Sequence, residues 1–319
     1  MDYGKFLISL DFELFWGFAG WTLPQLRAYQ KNIEGALDAL FRILDTLGRH
    51  DVKCTIGFVG GIACTSSEEF LAEAPEMRPV YENPMFSSYK SLLPLVGKEF
   101  KESLFFAPDV IARLFGNPLV ELGSHTFSHY YCLEDGQTAG QFEADIAAAV
   151  KNARKRGISL KTIIFPRNQV SPGYLDICAK YGFTHYRGNP ESALYRSEKT
   201  PSCFDLHRIL RLADAYFNLS GHNTYKLPVR NGSMCDVPAS RFMRPYSSRL
   251  ALLEPLKVRR ILRSMEYAAK EKEIFHLWWH PHNFGLHFAE SIEQLEKICD
   301  KFDGLRLKYG MQSRFVAEL

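Results

Sequence analysis

Several features that define whole classes of protein are missing from this sequence of 319 residues. Its seven cysteines are odd in number and scattered, and none are spaced as Cys-x-x-Cys, so neither a disulfide framework nor a cysteine zinc site is predicted. No stretch approaches the roughly 18 uncharged apolar residues that a membrane-spanning helix needs. The apolar run Phe6–Leu10 has no basic segment before it and stops at Asp11, unlike a signal peptide. We therefore expect reduced thiols and a cytoplasmic protein with no membrane span.

A strong charge of one sign is also absent. The 39 basic residues nearly balance the 36 acidic ones, leaving a formal charge of +3. Nucleic-acid-binding proteins usually carry a marked basic excess, so no nucleic-acid partner is predicted. The 46% hydrophobic content is that of an ordinary globular protein, and the 13% aromatic content is slightly high.

Short apolar runs alternate with helical periodicity along the whole chain, a pattern typical of an α/β fold with largely parallel strands. No linker or repeat divides the sequence, so a single domain over residues 1–319 is expected. Two irregular stretches, near residues 65–105 and 226–245, are expected to be loop insertions close to a site. The predicted strands are Lys5–Leu10, Val52–Val59, Leu119–Leu122, Lys161–Phe165, Thr184–Arg187 and Glu273–Trp279.

Two carboxylates close the first predicted strand. In an extended chain Asp11 and Glu13 point to the same side, while Leu10 and Phe12 point to the other. Such close acids repel each other unless a cation or a shared proton compensates. Taken alone, the pair is more simply a helix-capping or loop feature, and a cation site is the alternative.

Two histidines four residues apart follow the third predicted strand. If residues 125–129 form a helical turn, His125 and His129 aim their imidazoles at one point, as a zinc ion or similar divalent cation requires. A structural role is the alternative, since His276 and His280 show the same spacing inside a predicted strand.

Two further strand ends carry polar side chains. Arg167 lies just beyond the fourth predicted strand, where a surface ion pair is the simpler interpretation. Alternation along the last predicted strand places His276, Trp278 and His280 on one face, opposite an apolar face. In a β/α barrel the carboxyl ends of all strands meet at one face, so these features are expected to form a single site.

The ordered motifs resemble those of the NodB-type polysaccharide deacetylases, carbohydrate esterase family 4, over nearly the whole chain. Asp11-Phe12-Glu13 resembles the first motif, and residues 125–129 match the second, His-[Ser/Thr]-x-x-His. Arg167 resembles the arginine of the third, and residues 277–280 match the closing Leu-x-x-His. The resemblance implies a single distorted (β/α) barrel of about seven strands.

The sequence also departs from this family. An Asp-x-Glu arrangement replaces the usual adjacent aspartates, as in divergent members. Pro166-Arg167-Asn168-Gln169 replaces the usual Arg-Pro-Pro-aromatic stretch, which leaves the oxyanion-binding position open.

The resemblance also implies a division of roles among the motif residues. Glu13, His125 and His129 would hold a divalent cation, with zinc expected. Asp11 would be the catalytic base, oriented by Arg167, and His280 would protonate the leaving group. Side chains expected to contact the substrate are Trp16, Trp21, Trp278, His282 and Asn283.

The expected reaction is removal of an N-acyl group, most simply N-acetyl, from an amino sugar or a sugar-containing precursor. Two alternatives remain open. The same metal site could hydrolyse formyl groups or cyclic amides, and a barrel that has lost activity could bind a glycan without cleaving it.

Overall fold

The computed structural model describes residues 2–195, 206–226 and 228–319. Ten strands form one sheet within these residues. They are β1 (Lys5–Phe12), β2 (Cys54–Phe58), β3 (Val120–Ser124), β4 (Thr162–Ile163), β5 (His185–Tyr186), β6 (Val229–Asn231), β7 (Met234–Asp236), β8 (Arg241–Phe242), β9 (Ile274–Trp279) and β10 (Gln312–Ser313).

Helices cover one side of this sheet. They are α1 (Leu23–Glu34), α2 (Ala36–Arg49), α3 (Ser67–Glu73), α4 (Ser88–Ser91), α5 (Pro108–Phe115), α6 (Ala139–Lys155), α7 (Leu175–Lys180), α8 (Leu206–Tyr216), α9 (Glu254–Glu271) and α10 (Phe288–Tyr309). Within the described part of the chain, none of them combines the length and the apolar character that crossing a bilayer requires.

The strand order is β6-β7-β5-β4-β3-β2-β1-β9-β8, with β10 also paired to β1, and every pairing except β6 with β7 is parallel. The sheet curls into a half barrel. The segment 237–240 crosses between its edges: the Ala239 amide donates to the Gly188 carbonyl just after β5, and the Ser240 amide to the His276 carbonyl in β9. The prediction of an α/β fold of the distorted barrel type is confirmed.

The first strand shows how the sequence divides the two faces of the sheet. Phe6, Ile8, Leu10 and Phe12 alternate along β1 and are buried in the main hydrophobic core. The ring of Phe6 packs against Phe302 of α10, with centroids 5.2 Å apart. The intervening residues face the inside of the curled sheet, where polar side chains collect.

Inside the curl, the interior is layered. At the amino ends of the strands a small apolar floor is formed by Leu7, Val237, Ile274 and Val316. Above it the same inner face becomes polar, and at the carboxyl ends of the strands it carries Asp11. Any solvent-accessible chemistry is thus placed at the carboxyl end of the barrel.

The two stretches expected to be irregular contain regular elements as well. Residues 65–105 include α3 and α4, and residues 226–245 include the β6–β7 hairpin and β8, so the expectation of long loops is only partly correct. Leu227, in the second stretch, lies outside the described residues. Strands of two or three residues are too short to show alternation, which is why apolar periodicity did not indicate them.

A close backbone contact positions the turn that follows β9. A Cβ on Gly285 would lie 2.3 Å from the Asn32 carbonyl oxygen of α1, so only glycine allows this approach. In contrast, a Cβ on Gly304, on the exposed side of α10, would meet no atom within 4 Å.

We expect Gly285→Ala to lower the free energy of unfolding by about 1–3 kcal/mol, because the turn must move away from α1. Gly304→Ala should raise it by about 0.5–1 kcal/mol, since alanine is the better helix former. Urea denaturation followed by circular dichroism measures both changes. Equal effects of the two substitutions would contradict this account of the turn.

Candidate metal and catalytic site

Glu13 occupies the position immediately after β1, at the start of a short 3-10 turn, Leu14–Phe18. Its side chain is only 6% exposed. Gly17 makes room for it, because a Cβ at that position would lie 2.2 Å from the Glu13 carboxyl carbon. The buried carboxylate is therefore accommodated by the turn that follows it.

The segment that carries His125 and His129 is a loop, and the expectation of a helical turn was wrong. Thr126 and His129 both have positive φ, at 63° and 61°. Asp145 of α6 holds the loop by accepting hydrogen bonds from the Phe127 and Ser128 amides and from the Ser128 hydroxyl. This left-handed path still brings the two imidazoles together, with ring centroids 5.0 Å apart.

Glu13, His125 and His129 converge as the sequence predicted. Oε2 of Glu13 lies 2.8 Å from Nε2 of His129 and 3.4 Å from Nε2 of His125. Nδ1 of His125 lies 2.8 Å from the carbonyl oxygen of Ile164, which can only accept, so Nδ1 carries a proton and Nε2 is the ring nitrogen that faces Glu13. A neutral imidazole oriented through its other nitrogen is the usual form of a metal ligand.

An unsatisfied polar atom shows that this triad fits a divalent cation. Nε2 of His125 faces Glu13, is buried and has no hydrogen-bond partner among the described residues, whereas His129 presents its Nε2 to the same carboxylate. Burial lowers the pKa of His129 to about 4, so its ring is neutral near pH 7. One carboxylate and two neutral imidazoles are a ligand set that zinc accepts, with further positions left open.

Burial alone would raise the pKa of Glu13. The neighbouring His280 and the contacts with His125 and His129 outweigh that effect and hold the pKa well below its ordinary value. A second group of ligand atoms, from Glu13, His280 and His282, also lies within 4.8 Å of one another. The first group is the better candidate, because it is fully buried and contains the unsatisfied Nε2 of His125.

Asp11 forms a bidentate ion pair with Arg187, which lies immediately after β5. Nη1 of Arg187 lies 2.6 Å from Oδ1 of Asp11, and Nη2 lies 2.7 Å from Oδ2. Both side chains are almost completely buried. Burial alone would raise the pKa of Asp11, but the Arg187 guanidinium outweighs it and keeps the pKa below its ordinary value.

Arg187, and not Arg167, therefore holds the place beside Asp11 that the sequence interpretation gave to Arg167. Arg167 donates to the Ala19 carbonyl at 3.0 Å, and its guanidinium lies 4.0 Å from the centre of the Tyr131 ring. The signal for Arg187 was present, since it ends a predicted strand. The motif resemblance favoured Arg167 instead.

His280 faces both carboxylates from the end of β9. Its Nε2 lies 3.2 Å from Oε1 of Glu13 and 3.7 Å from Oδ2 of Asp11, and its side chain is 20% exposed. Asn283 accepts from the His280 amide at 3.2 Å, and its Oδ1 lies 3.3 Å from the ring Nδ1. The His282 ring is buried and stacked on His280, with centroids 4.8 Å apart. His282 and Asn283 thus support His280 directly.

The tryptophans expected at the substrate differ in position. Trp16 is completely buried, donates to the Phe105 carbonyl at 2.8 Å and stacks on Phe70, so its assignment as an exposed platform was wrong. The aromatic side chains around this turn belong to the main hydrophobic core. Trp21 and Trp278 are partly exposed. One face of Trp278 covers the Arg187 guanidinium, 4.2 Å from the ring centre.

Strained backbone is concentrated around this cluster. Positive φ values occur at eight non-glycine residues of the described chain. Five of them follow strands that lead to the site: Leu14, Thr126, His129, Arg167 and Asn168. Strain of this kind persists where the surrounding structure holds side chains in required positions, and it is common at functional sites.

Comparisons with known proteins place the fold. No family model matches the chain, and no curated protein sequence does. Among solved structures, a putative polysaccharide deacetylase from Mycobacterium smegmatis matches with a TM-score of 0.54 and 13% identity, over 98% of this chain and 94% of that one. A probable polysaccharide deacetylase from Pseudomonas aeruginosa PAO1 matches with a TM-score of 0.53 and 10% identity, over 94% and 85%.

The chain has the fold of the NodB-type polysaccharide deacetylases. This confirms, at the level of fold, the resemblance noted in the sequence motifs. Puue allantoinase has the same deacetylase-type fold, with a TM-score of 0.56 and 10% identity over 98% of this chain and 89% of that one. The deacetylase-type fold therefore carries more than one activity, and the reaction must be argued from the site.

We expect His125→Ala to abolish tight zinc binding while the barrel stays folded, because the ring would supply a ligand atom and the core does not depend on it. Titration calorimetry with zinc measures the first effect and far-ultraviolet circular dichroism the second. His185→Ala is the control, since the partly exposed His185 contacts Thr184, away from the triad. Undiminished zinc binding by His125→Ala would contradict this ligand assignment.

Proposed function

We propose that this protein is a metal-dependent hydrolase that removes an N-acyl group, most simply N-acetyl, from an amino sugar or a sugar-containing precursor. The observation that carries the proposal is the juxtaposition of two units at one strand end. A triad suited to a cation includes Glu13, and an ion-paired carboxylate suited to proton transfer stands two residues earlier, at Asp11.

Glu13, His125 and His129 would hold the divalent cation, with zinc the expected metal. When bound, such a cation would polarise the acyl carbonyl and ease deprotonation of water. The three candidate ligands come from only two strand ends, β1 and β3, and a cation held by three protein ligands would keep positions for water and the acyl oxygen.

Asp11 would take the proton from the attacking water. Arg187 keeps this carboxylate ionised and fixes both of its oxygens, so it is poised to accept a proton. A carboxylate bound to a cation is a weaker base than one that is not, which favours Asp11 over Glu13 for this role. Arg187 acts on the reaction through Asp11 and is a positioning residue.

His280 would deliver a proton to the leaving amine. Its Nε2 lies close to both carboxylates, yet the side chain keeps some exposure to the opening. Contact with Asn283 fixes the ring, and stacking on His282 limits its rotation. General acid catalysis requires such a group on the side from which the substrate enters.

The deacetylase neighbours support a glycan-type substrate. The partly exposed Trp278 and Trp21 are the tryptophans available for stacking on a sugar ring. One face of Trp278 is already used by Arg187, so only its other face and edges could meet a substrate.

A second candidate reaction is hydrolysis of a cyclic amide, favoured by the structural similarity to Puue allantoinase. Formyl-group hydrolysis belongs with it, because all three reactions attack an amide carbonyl. The same cation site and base would serve each of them.

We expect purified protein loaded with zinc to release acetate from an N-acetylated amino-sugar oligosaccharide or a nucleotide-linked N-acetylamino sugar. Asp11→Asn should lower kcat by about 10²–10⁴-fold, because the base is lost. Zinc binding should persist, since Asp11 is outside the triad. Acetate, formate and ring-opened product are measured on one panel that includes N-formyl sugars and cyclic amides.

Asp300→Asn, on the exposed side of α10, is the matched control and should leave the rate unchanged. Release of formate or ring-opened product would favour the second candidate. Glycan binding without any product, at full zinc occupancy, would favour an inactive binding protein and overturn the proposal.

We also expect Arg187→Gln to lower kcat at least about a hundredfold, because Asp11 loses its bidentate partner and its fixed orientation. Arg167→Gln should have the smaller effect, since Arg167 bonds to the Ala19 carbonyl and lies over Tyr131. Steady-state kinetics of both variants on the same substrate show which arginine contributes more to kcat. A larger loss in Arg167→Gln would restore the assignment drawn from the sequence motif.

A further inference from the structure

A polar layer lies directly beneath Asp11, inside the curled sheet. It consists of Ser9 of β1, two residues before Asp11, and His276 of β9, and both side chains are completely buried. Oγ of Ser9 lies 2.8 Å from Nε2 of His276 and 3.2 Å from Nη1 of Arg187. Neither residue touches the space where substrate would bind, and the reaction proposed above does not use them.

Which atoms donate and which accept in this layer follows from the chemistry of Arg187 and Ser9. Arg187 can only donate, so Oγ of Ser9 accepts from it. The Ser9 hydroxyl proton then needs an acceptor, and within the described residues Nε2 of His276 is the partner in place. Counted this way, Nε2 is unprotonated and the ring proton is on Nδ1. Nδ1 has no hydrogen-bond partner of normal geometry among the described residues, although the backbone of Val237 and Pro238 interacts with the ring.

The surroundings are consistent with a neutral ring. Burial, with the Arg187 charge as a further cause, lowers the pKa of His276 to about 3. A neutral acceptor matters here, because a carboxylate in the same place would compete with Asp11 for the guanidinium.

Both terminal nitrogens of the guanidinium have partners, whereas Nε is buried without a hydrogen-bond partner among the described residues. Nη1 is shared between Asp11 and Ser9, and Nη2 between Asp11 and Oδ1 of Asn168 at 2.8 Å. The Trp278 ring covers one face. Ser9 is the contact that approaches from below, on the side of the barrel floor.

We infer that Ser9 and His276 form a positioning pair that locks Arg187, and through it the orientation of the Asp11 carboxylate. Its kinetic consequence rests on the proposed function. The hydrogen-bond arrangement itself does not.

The first test uses kinetics. Ser9→Ala should lower kcat by roughly tenfold to a hundredfold, with KM and zinc affinity unchanged, because the carboxylate is misaligned only for the reaction step. Ser264→Ala is the matched control: its hydroxyl is equally buried, bonds to the Arg260 carbonyl in α9, and should leave kcat unchanged.

His276 offers a second matched pair of variants. His276→Gln keeps an acceptor near the position of Nε2, whereas His276→Met has similar length and no comparable acceptor. The glutamine variant should retain most of the kcat that the methionine variant loses. Equal kcat in these two variants, or in Ser9→Ala and Ser264→Ala, would overturn the kinetic role.

The second test does not depend on any activity. Long-range proton–nitrogen NMR on the wild-type protein at neutral pH should show His276 as the Nδ1–H tautomer, its signals assigned by their loss in His276→Gln. A protonated Nε2 would overturn the inferred pair even in an active hydrolase. If the protein shows the expected tautomer but no hydrolase activity, the hydrogen-bond arrangement is upheld and only the proposed function is contradicted.

Discussion

The buried ion pair between Asp11 and Arg187 is the interaction on which the rest of this site depends. Two carboxylates two residues apart, both nearly excluded from water, repel each other strongly in a medium of low dielectric constant. Arg187 compensates the first, and the cation that Glu13, His125 and His129 would hold would compensate the second. Because each acid has a different partner, the two adjacent groups can serve different chemical purposes.

That ion pair in turn requires the curl of the sheet. Three strands, β4, β3 and β2, separate β5 from β1 in the sheet order, so Arg187 would be far from Asp11 in a flat sheet. The segment 237–240 ties the region after β5 to β9 and keeps the curl closed on that side. Beneath the pair, the layer of Ser9 and His276 separates Arg187 from the apolar floor. Nη1 of Arg187 therefore meets the Ser9 hydroxyl on that side.

The loops above the strands reach their positions at a conformational cost that neighbouring groups offset. Asp145 holds the left-handed loop between His125 and His129, and its buried carboxylate has a pKa raised to about 6 by desolvation. Gly17 and Gly285 allow approaches that any side chain would block. The site therefore owes its geometry as much to a helix residue and two glycines as to the residues with chemical roles.

Local pattern in the sequence determined the α/β fold and the positions of six of the ten strands, β1 to β5 and β9, where about seven strands were expected in all. It also placed Asp11, Glu13, His125, His129 and His280 at or just beyond strand ends. Periodicity and alternation are properties of neighbouring residues, so a single chain displays them. Tertiary structure alone decided that Arg187 reaches Asp11, that Trp16 is buried, and that residues 125–129 form a left-handed loop. Each of these depends on contacts between residues distant in sequence, which arise only when the sheet curls and its layers pack.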